Sequence, residues 1–286
     1  MPDASSVRRL QPTAAGLPEL DAAREWRLAP AYYDLPELRD AHAVFQKAVL
    51  ARLAPYGLDL SPGPDAGEAF IWGRTLLGQA CGYRYVNGLK GQAVLVATPR
   101  YRTRRAEGPF VRSAVLVKAT DPADGLIDLR GRILAVDARD LGSQNLLRAE
   151  VAPLAGGHPF FKTVLAEPSA LALAQAVVDD QASAALLDAV SLAHLQRLRP
   201  ALTGKLRLLT WTSRAPAAPF LTSAKASLQL VAALRAALMD ASRDPALAEA
   251  RRTLLLEEVV LLPEAHYRAL IHFQQMAESQ GYPDLR

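Results

Sequence analysis

The chain has 286 residues, 50% of them hydrophobic and 22% charged, with a formal net charge of +4. That length suits roughly two domains, and the composition excludes a disordered or collagen-like chain. Arg100, Arg102, Arg104 and Arg105 form one basic cluster, read as a solvated loop, so no nucleic-acid partner is expected.

Residues 1–25 are Ala, Pro and Ser rich and read as a flexible N-terminal arm. Arg8 and Arg9 are not followed by an apolar run of about 7 to 15 residues, so the arm does not work as a secretory signal as written. Either the protein stays in the cytoplasm or its true start lies upstream. "WRLAPAYYD" (26–34) reads as a short strand. Leu35, Leu38, Ala41, Val44, Phe45, Ala48 and Val49 then recur at helical spacing, with Asp34 and Pro36 as cap and first-turn residues. "TLLGQACG" (75–82), "AVLVATPRY" (93–101) and "FVRSAVLVKA" (110–119) are strand-length apolar runs.

From about 120 to 212 strands and helices alternate: "RILAVDA", a helix from Ser143, "FFKTVLAE", a helix opening at Pro168, "SAALLDAV", "SLAHLQRL" and "KLRLLTWT". This alternation predicts βαβ units, a mostly parallel sheet and helices on both faces. After residue 219 the pattern turns helical and predicts no further strand, with the tail packing on the N-terminal lobe. The expected fold is α/β and two-lobed. Residues 26–112 and 213–286 form a discontinuous lobe 1, and 113–212 form lobe 2.

Cys81 is the single cysteine, so no internal disulfide forms, and no apolar run is long enough to enter a membrane. Dinucleotide, phosphate-loop and zinc-protease motifs are absent, and the scattered histidines argue no metal site. One constellation remains. Ligands in open α/β sheets sit beyond the carboxyl ends of parallel strands. Those ends carry Asp137, Glu167 and Asp188, with Ser143 and Gln144 opening the next helix. The corresponding ends of the first lobe carry Tyr32, Tyr33, Gln79, Cys81 and Tyr83. Each acid reads equally as a helix cap or a surface turn.

The stretches "LAPAYYDLPELR", "LLGQACGYRYVNGLKGQAVLVATPRY", "GPFVRSAVLVK", "DLRGRILAVDARDLGSQNLLR", "ASAALLDAVSLAHL", "LRLLTWTSRAPAAPFLTS" and "GYPDLR", taken in order, resemble the substrate-binding proteins of phosphate, phosphite and phosphonate ABC transporters. The resemblance implies a type II periplasmic-binding-protein-like fold, with two lobes joined by crossings near 110–119 and 205–213 and closing around a solute. It implies no catalysis and no cofactor. Its partners are a small polar solute and an ABC-transporter permease, its location the periplasm, and a monomer is expected. Tyr33 and Tyr83 become cleft aromatics, Asp188 a partner for a solute amino group, and Gly82 a point of backbone approach to the solute. The family's serine-rich helix start is shortened here to "DARDLGSQN", keeping Ser143, and its Ser-His at the following helix reads Ser169-Ala170. Each lost charge-assisted hydrogen bond costs about 1.5 to 3 kcal/mol, so phosphonate affinity is expected to fall and an amine-bearing solute to be preferred. A cytosolic enzyme resembling menaquinone-pathway proteins of the same fold, or a cytosolic ligand sensor, are the alternatives.

Overall fold

The computed structural model describes residues 26–58, 72–104 and 106–286. The arm expected over residues 1–25, and Arg105 of the basic cluster, lie outside the described residues. In chain order the strands are β1 (Arg27–Leu28), β2 (Thr75–Gln79), β3 (Ala93–Tyr101), β4 (Phe110–Val111), β5 (Ser113–Lys118) and β6 (Ile133–Asp137). They continue with β7 (Thr163–Glu167), β8 (Ala184–Asp188), β9 (Leu206–Trp211), β10 (Ala215–Pro216), β11 (Phe220–Ser223) and β12 (Leu256–Val260). The helices that matter for the site are α1 (Arg39–Leu53), α2 (Gly82–Gly88), α3 (Leu141–Ala155), α4 (Ala170–Val178), α5 (Ala189–Leu198), α6 (Leu228–Arg243) and α7 (Leu270–Ser279).

Two five-stranded sheets result, ordered β1-β2-β11-β3-β12 and β7-β6-β8-β5-β9. The chain passes between them twice, through β4 and β10. These pair antiparallel, with Ala215 opposite Val111 and Pro216 opposite Phe110. The first sheet is therefore assembled from two separated pieces of chain, and the second from one continuous piece.

α1 forms where its spacing predicts. Pro36 presets the turn before it, and Ala41, Phe45, Val49 and Leu53 fall four apart on one buried face. That face packs against Leu230, Leu234 and Leu238 of α6 over the first sheet. In the second sheet β7, β6 and β8 are parallel, as βαβ units require. β5 pairs antiparallel with both β8 and β9, so it alone runs against the other four strands.

The tail departs from its helical expectation in two ways. It contains β11 and β12, and β11 lies between β2 and β3 in the middle of the first sheet. β11 is only four residues long, and Glu257 and Glu258 interrupt the apolar alternation of β12. Glu258 is held there by Arg100 at 3.0 Å and Arg243 at 2.7 Å. The end of the tail also leaves the N-terminal half of the fold. α7 packs on α3, and Gly281, at φ 71°, turns the chain so that Tyr282 enters the core of the second sheet beside Phe160. The Phe160 N–H donates to the Arg286 carbonyl at 2.6 Å, tying down the C-terminus.

Candidate functional site

β6 and β8 are parallel neighbours that end at Asp137 and Asp188. A cavity of about 480 Å³ opens beyond those ends, a volume suited to a small solute. Asp137, Asp140, Ser169 and Asp188 wall it on the side of the second sheet. Tyr32, Tyr33, Gln79, Cys81 and Arg84 wall it on the side of the first. Glu167 does not belong to this set. It ends β7, the edge strand, and its place among the acids is taken by Asp140.

Two of the acids cap helices that start at the cavity wall. Asp188 accepts the N–H groups of Val190 and Ser191 at 2.9 and 3.0 Å, at the positive end of α5. Burial nevertheless pushes its carboxyl above the ordinary value, while hydrogen bonds from Ser191, Val190 and Tyr33 pull it back. Asp140 caps α3, accepting the Ser143 N–H at 3.1 Å. Burial, reinforced by the Asp188 charge, raises its carboxyl to about 6. Asp137 is paired with Arg139 at 3.2 Å and is the best neutralised of the three.

This arrangement changes what Ser143 can offer. Its hydroxyl donates to the Asp140 carboxylate and accepts from Ser113 Oγ at 2.6 Å. A serine hydroxyl has one proton, so the Ser143 hydroxyl is committed to the chain's own carboxylate. Ser169 caps α4 by accepting the Ala172 N–H at 3.2 Å, and it borders the cavity. Gln144 is not among the cavity-lining residues and donates to the Asp137 carbonyl at 2.8 Å.

On the facing side, Tyr32 and Tyr33 meet edge to face at 5.0 Å, and Tyr33 meets Tyr101 in the same way at 5.4 Å. Burial raises both hydroxyls, with Asp140 adding to the effect at Tyr32 and Asp188 at Tyr33. Gln79 spends its side-chain amide on the Ala218 carbonyl at 2.9 Å. Cys81 is buried, and burial pushes its thiol up to about 12.

Two residues of the same stretch are also closely packed. β2 stops at Gln79, and Gly82 opens α2, where with Tyr83 it lines a smaller recess shared with Tyr33, Cys81, Asp140, Ser143 and Asp188. A Cβ on Gly82 would stand 2.8 Å from Tyr267 Cδ1 and 3.0 Å from Leu270 Cδ1. Tyr267 cannot retreat: it is fully buried, with its hydroxyl 2.7 Å from Thr98 Oγ1 and 3.1 Å from the Ala217 carbonyl. Gly82→Ala is therefore expected to destabilise the fold by about 1–3 kcal/mol in denaturant unfolding. An unchanged transition midpoint would show that α2 can shift freely. Tyr83, expected in the cleft, does not line the main cavity. It donates to Gln274 Oε1 at 2.7 Å on α7 and joins the cluster around Tyr267.

Sequence reading passed over Asp140, Arg84, Arg139 and His194, all of which border the cavity. Asp140 had a detectable signature, an acid three residues before Ser143 at a helix start. Among the described residues no group of three or more His, Cys, Asp or Glu side chains is placed to hold a metal ion, and no helix is long and apolar enough to cross a membrane.

Two α/β sheets joined by paired crossings, with a polar cavity at their strand ends, define a two-lobed solute-binding protein of the type II periplasmic kind. A family model described as the periplasmic phosphonate substrate-binding protein of ABC transporters matches residues 63–267, and the chain belongs to that family. No curated protein matches the sequence. A binding-protein component of an ABC phosphonate transporter from Pseudomonas aeruginosa superposes with a TM-score of 0.73 at 13% identity, covering 90% of this chain and 87% of that one. PhnD1 of Prochlorococcus marinus, in complex with methylphosphonate, gives 0.71 at 10% identity, covering 89% and 98%. A chloride-bound protein of Xanthomonas citri gives 0.67 at 17% identity, covering 89% and 96%.

Proposed function

We propose that this solute-binding protein takes a small solute bearing an amino or other cationic group, in preference to inorganic phosphate or a simple phosphonate. The observation that carries the reading is the pair of half-buried acids, Asp140 and Asp188, with Ser143 turned toward Asp140. Two carboxylates on one cavity wall repel an anion and attract a cation. Arg84 is exposed at the cavity and has no ion pair among the described residues, so an acidic group on the same solute has a partner there. The protein then acts as a monomer that closes on its solute and delivers it to an ABC-transporter permease in the periplasm. An enzymatic role is less well supported, because a thiol raised to about 12 is a poor nucleophile.

Calorimetry with phosphate, methylphosphonate, 2-aminoethylphosphonate and a simple alkylamine tests the reading. The amine-bearing solutes are expected to bind more tightly. Asp188→Asn should weaken them by about tenfold to a hundredfold, the range for a charge-assisted hydrogen bond. Tight phosphate binding, with every affinity unchanged in Asp188→Asn, overturns it.

A further inference from the structure

α5 packs on both halves of the molecule. Leu192 and Leu195 enter the core of the second sheet, while Val190 and Leu198 pack against the core of the first. Val190, His194 and Leu198 recur every fourth residue, so one stripe of the helix faces the opposite half. The helix starts beside the crossings, where the Ala189 N–H donates to the Arg112 carbonyl at 2.9 Å. Its 10 residues carry it about 15 Å from there.

At that far end two arginines hold the other half. Arg197 donates to the Arg252 carbonyl at 3.2 Å and to the Thr253 carbonyl at 2.5 Å, both at the end of the short helix Ala248–Thr253 that precedes β12. Arg199 pairs with Glu37, in the turn Pro36–Leu38 that leads into α1. The contact changes character along the helix. Val190, next to the crossings, is fully buried, whereas Arg197 is exposed and the Arg199 and Glu37 side chains are 36% and 35% exposed. Exposed ion pairs and hydrogen bonds exchange for water at modest cost, and a buried valine does not. An opening about the crossings would move the far end of α5 most, and that end is the part that can be rewetted. Between the two ends His194 is 1% exposed and its Nε2 has no hydrogen-bond partner. Opening would let water reach that ring, so His194 opposes closure and the arginines hold against it.

We propose that Arg197 and Arg199 form a clamp at the end of α5 that fastens the two halves in their closed arrangement. Each arginine contributes little by itself, because its contacts are partly exposed. Acting together at the far end of a helix anchored beside the crossings, they bias the balance between closed and open forms. The clamp does not depend on which solute the cavity takes.

Small-angle scattering of the solute-free chain tests the clamp, and it needs no ligand, so failure of the cation reading leaves the test intact. The double variant Arg197→Ala/Arg199→Glu removes two hydrogen bonds and sets a carboxylate against Glu37. It is expected to shift the closed-to-open ratio by about tenfold or more, giving a larger radius of gyration than the wild type. Adding Glu37→Arg restores opposite charges across the contact and should return the profile most of the way. Melting temperatures should stay within a few degrees of wild type, because neither arginine is part of a core. An unchanged profile in the double variant, a wild type as extended as that variant, or an extension that Glu37→Arg does not reverse overturns the clamp. A collapse in melting temperature overturns it as well, since the arginines would then belong to the permanent packing of the fold.

Discussion

Replacing Asp140 by asparagine is expected to raise the affinity for methylphosphonate by roughly thirtyfold to a hundredfold. Asp140 stands at the start of α3, where the N–H groups and positive helix end would otherwise favour an anion. A carboxylate about 6 Å from a bound anion, at an effective dielectric near 20, opposes it by about 2–3 kcal/mol, which corresponds to that factor. Asparagine still accepts the Ser143 N–H as a cap, so α3 should keep its start. It also releases the Ser143 hydroxyl from a charged acceptor. Folding stability supplies an independent check. The Asp140 carboxyl rises from its usual 3.8 to about 6 in the folded chain, so between those values the folded state holds a proton that the unfolded chain has lost. Stability from this group is therefore fully present below the unfolded value and is lost as pH rises from about 4 to about 6. The stability of Asp140→Asn relative to wild type should increase across that window and level off above it. An affinity for methylphosphonate unchanged by the substitution would mean that anions bind elsewhere, and a flat stability difference would mean that the carboxylate is well solvated.

The elements legible in the sequence were those whose burial follows a period. α1 could be placed because one face repeats every fourth residue. The strand ends at Asp137 and Asp188 could be placed because β6 and β8 are short apolar runs bounded by polar residues. β11 escaped because four residues carry no usable periodicity, and its central position is set by pairing with β2 and β3, which are distant in sequence. At Gly82 nothing local reveals that Tyr267 will lie against the position a Cβ would take. Glu167 and Asp137 are equivalent in sequence, each ending a strand ahead of a helix. Only strand order separates them, since β6 neighbours β8 and β7 is the edge. His194 was one of five scattered histidines. Its orphaned Nε2 is a property of tertiary packing and has no local signature.

Gly142→Leu is expected to hold the two halves apart and to weaken solute binding by a hundredfold or more. Gly142 is in the first turn of α3, and Cys81 follows β2 of the other sheet. They meet beside a smaller recess that both line: a Cβ on Gly142 would stand 3.4 Å from Cys81 Cβ and 3.7 Å from its sulfur. Alanine fits at ordinary contact distance, apart from a close approach of 3.3 Å to Asp140 Oδ1, whereas leucine adds three further carbons to a Cβ already in contact with Cys81. Opening relieves the strain. The halves are joined by the β4 and β10 crossings and also by the C-terminal segment, where α7 packs on α3 and Tyr282 enters the second core, so opening must hinge around all three. Apparent affinity then falls in proportion to the closed fraction, and a variant closed about 1% of the time loses about a hundredfold. Small-angle scattering at saturating wild-type solute concentration should show the leucine variant extended and the alanine variant compact. The melting temperature of the solute-free leucine variant should stay within a few degrees of wild type. Wild-type affinity in Gly142→Leu would show that binding does not need this contact. A collapse in the melting temperature of Gly142→Ala would show instead that Cys81 and Gly142 belong to a packed core and not to a closing seam.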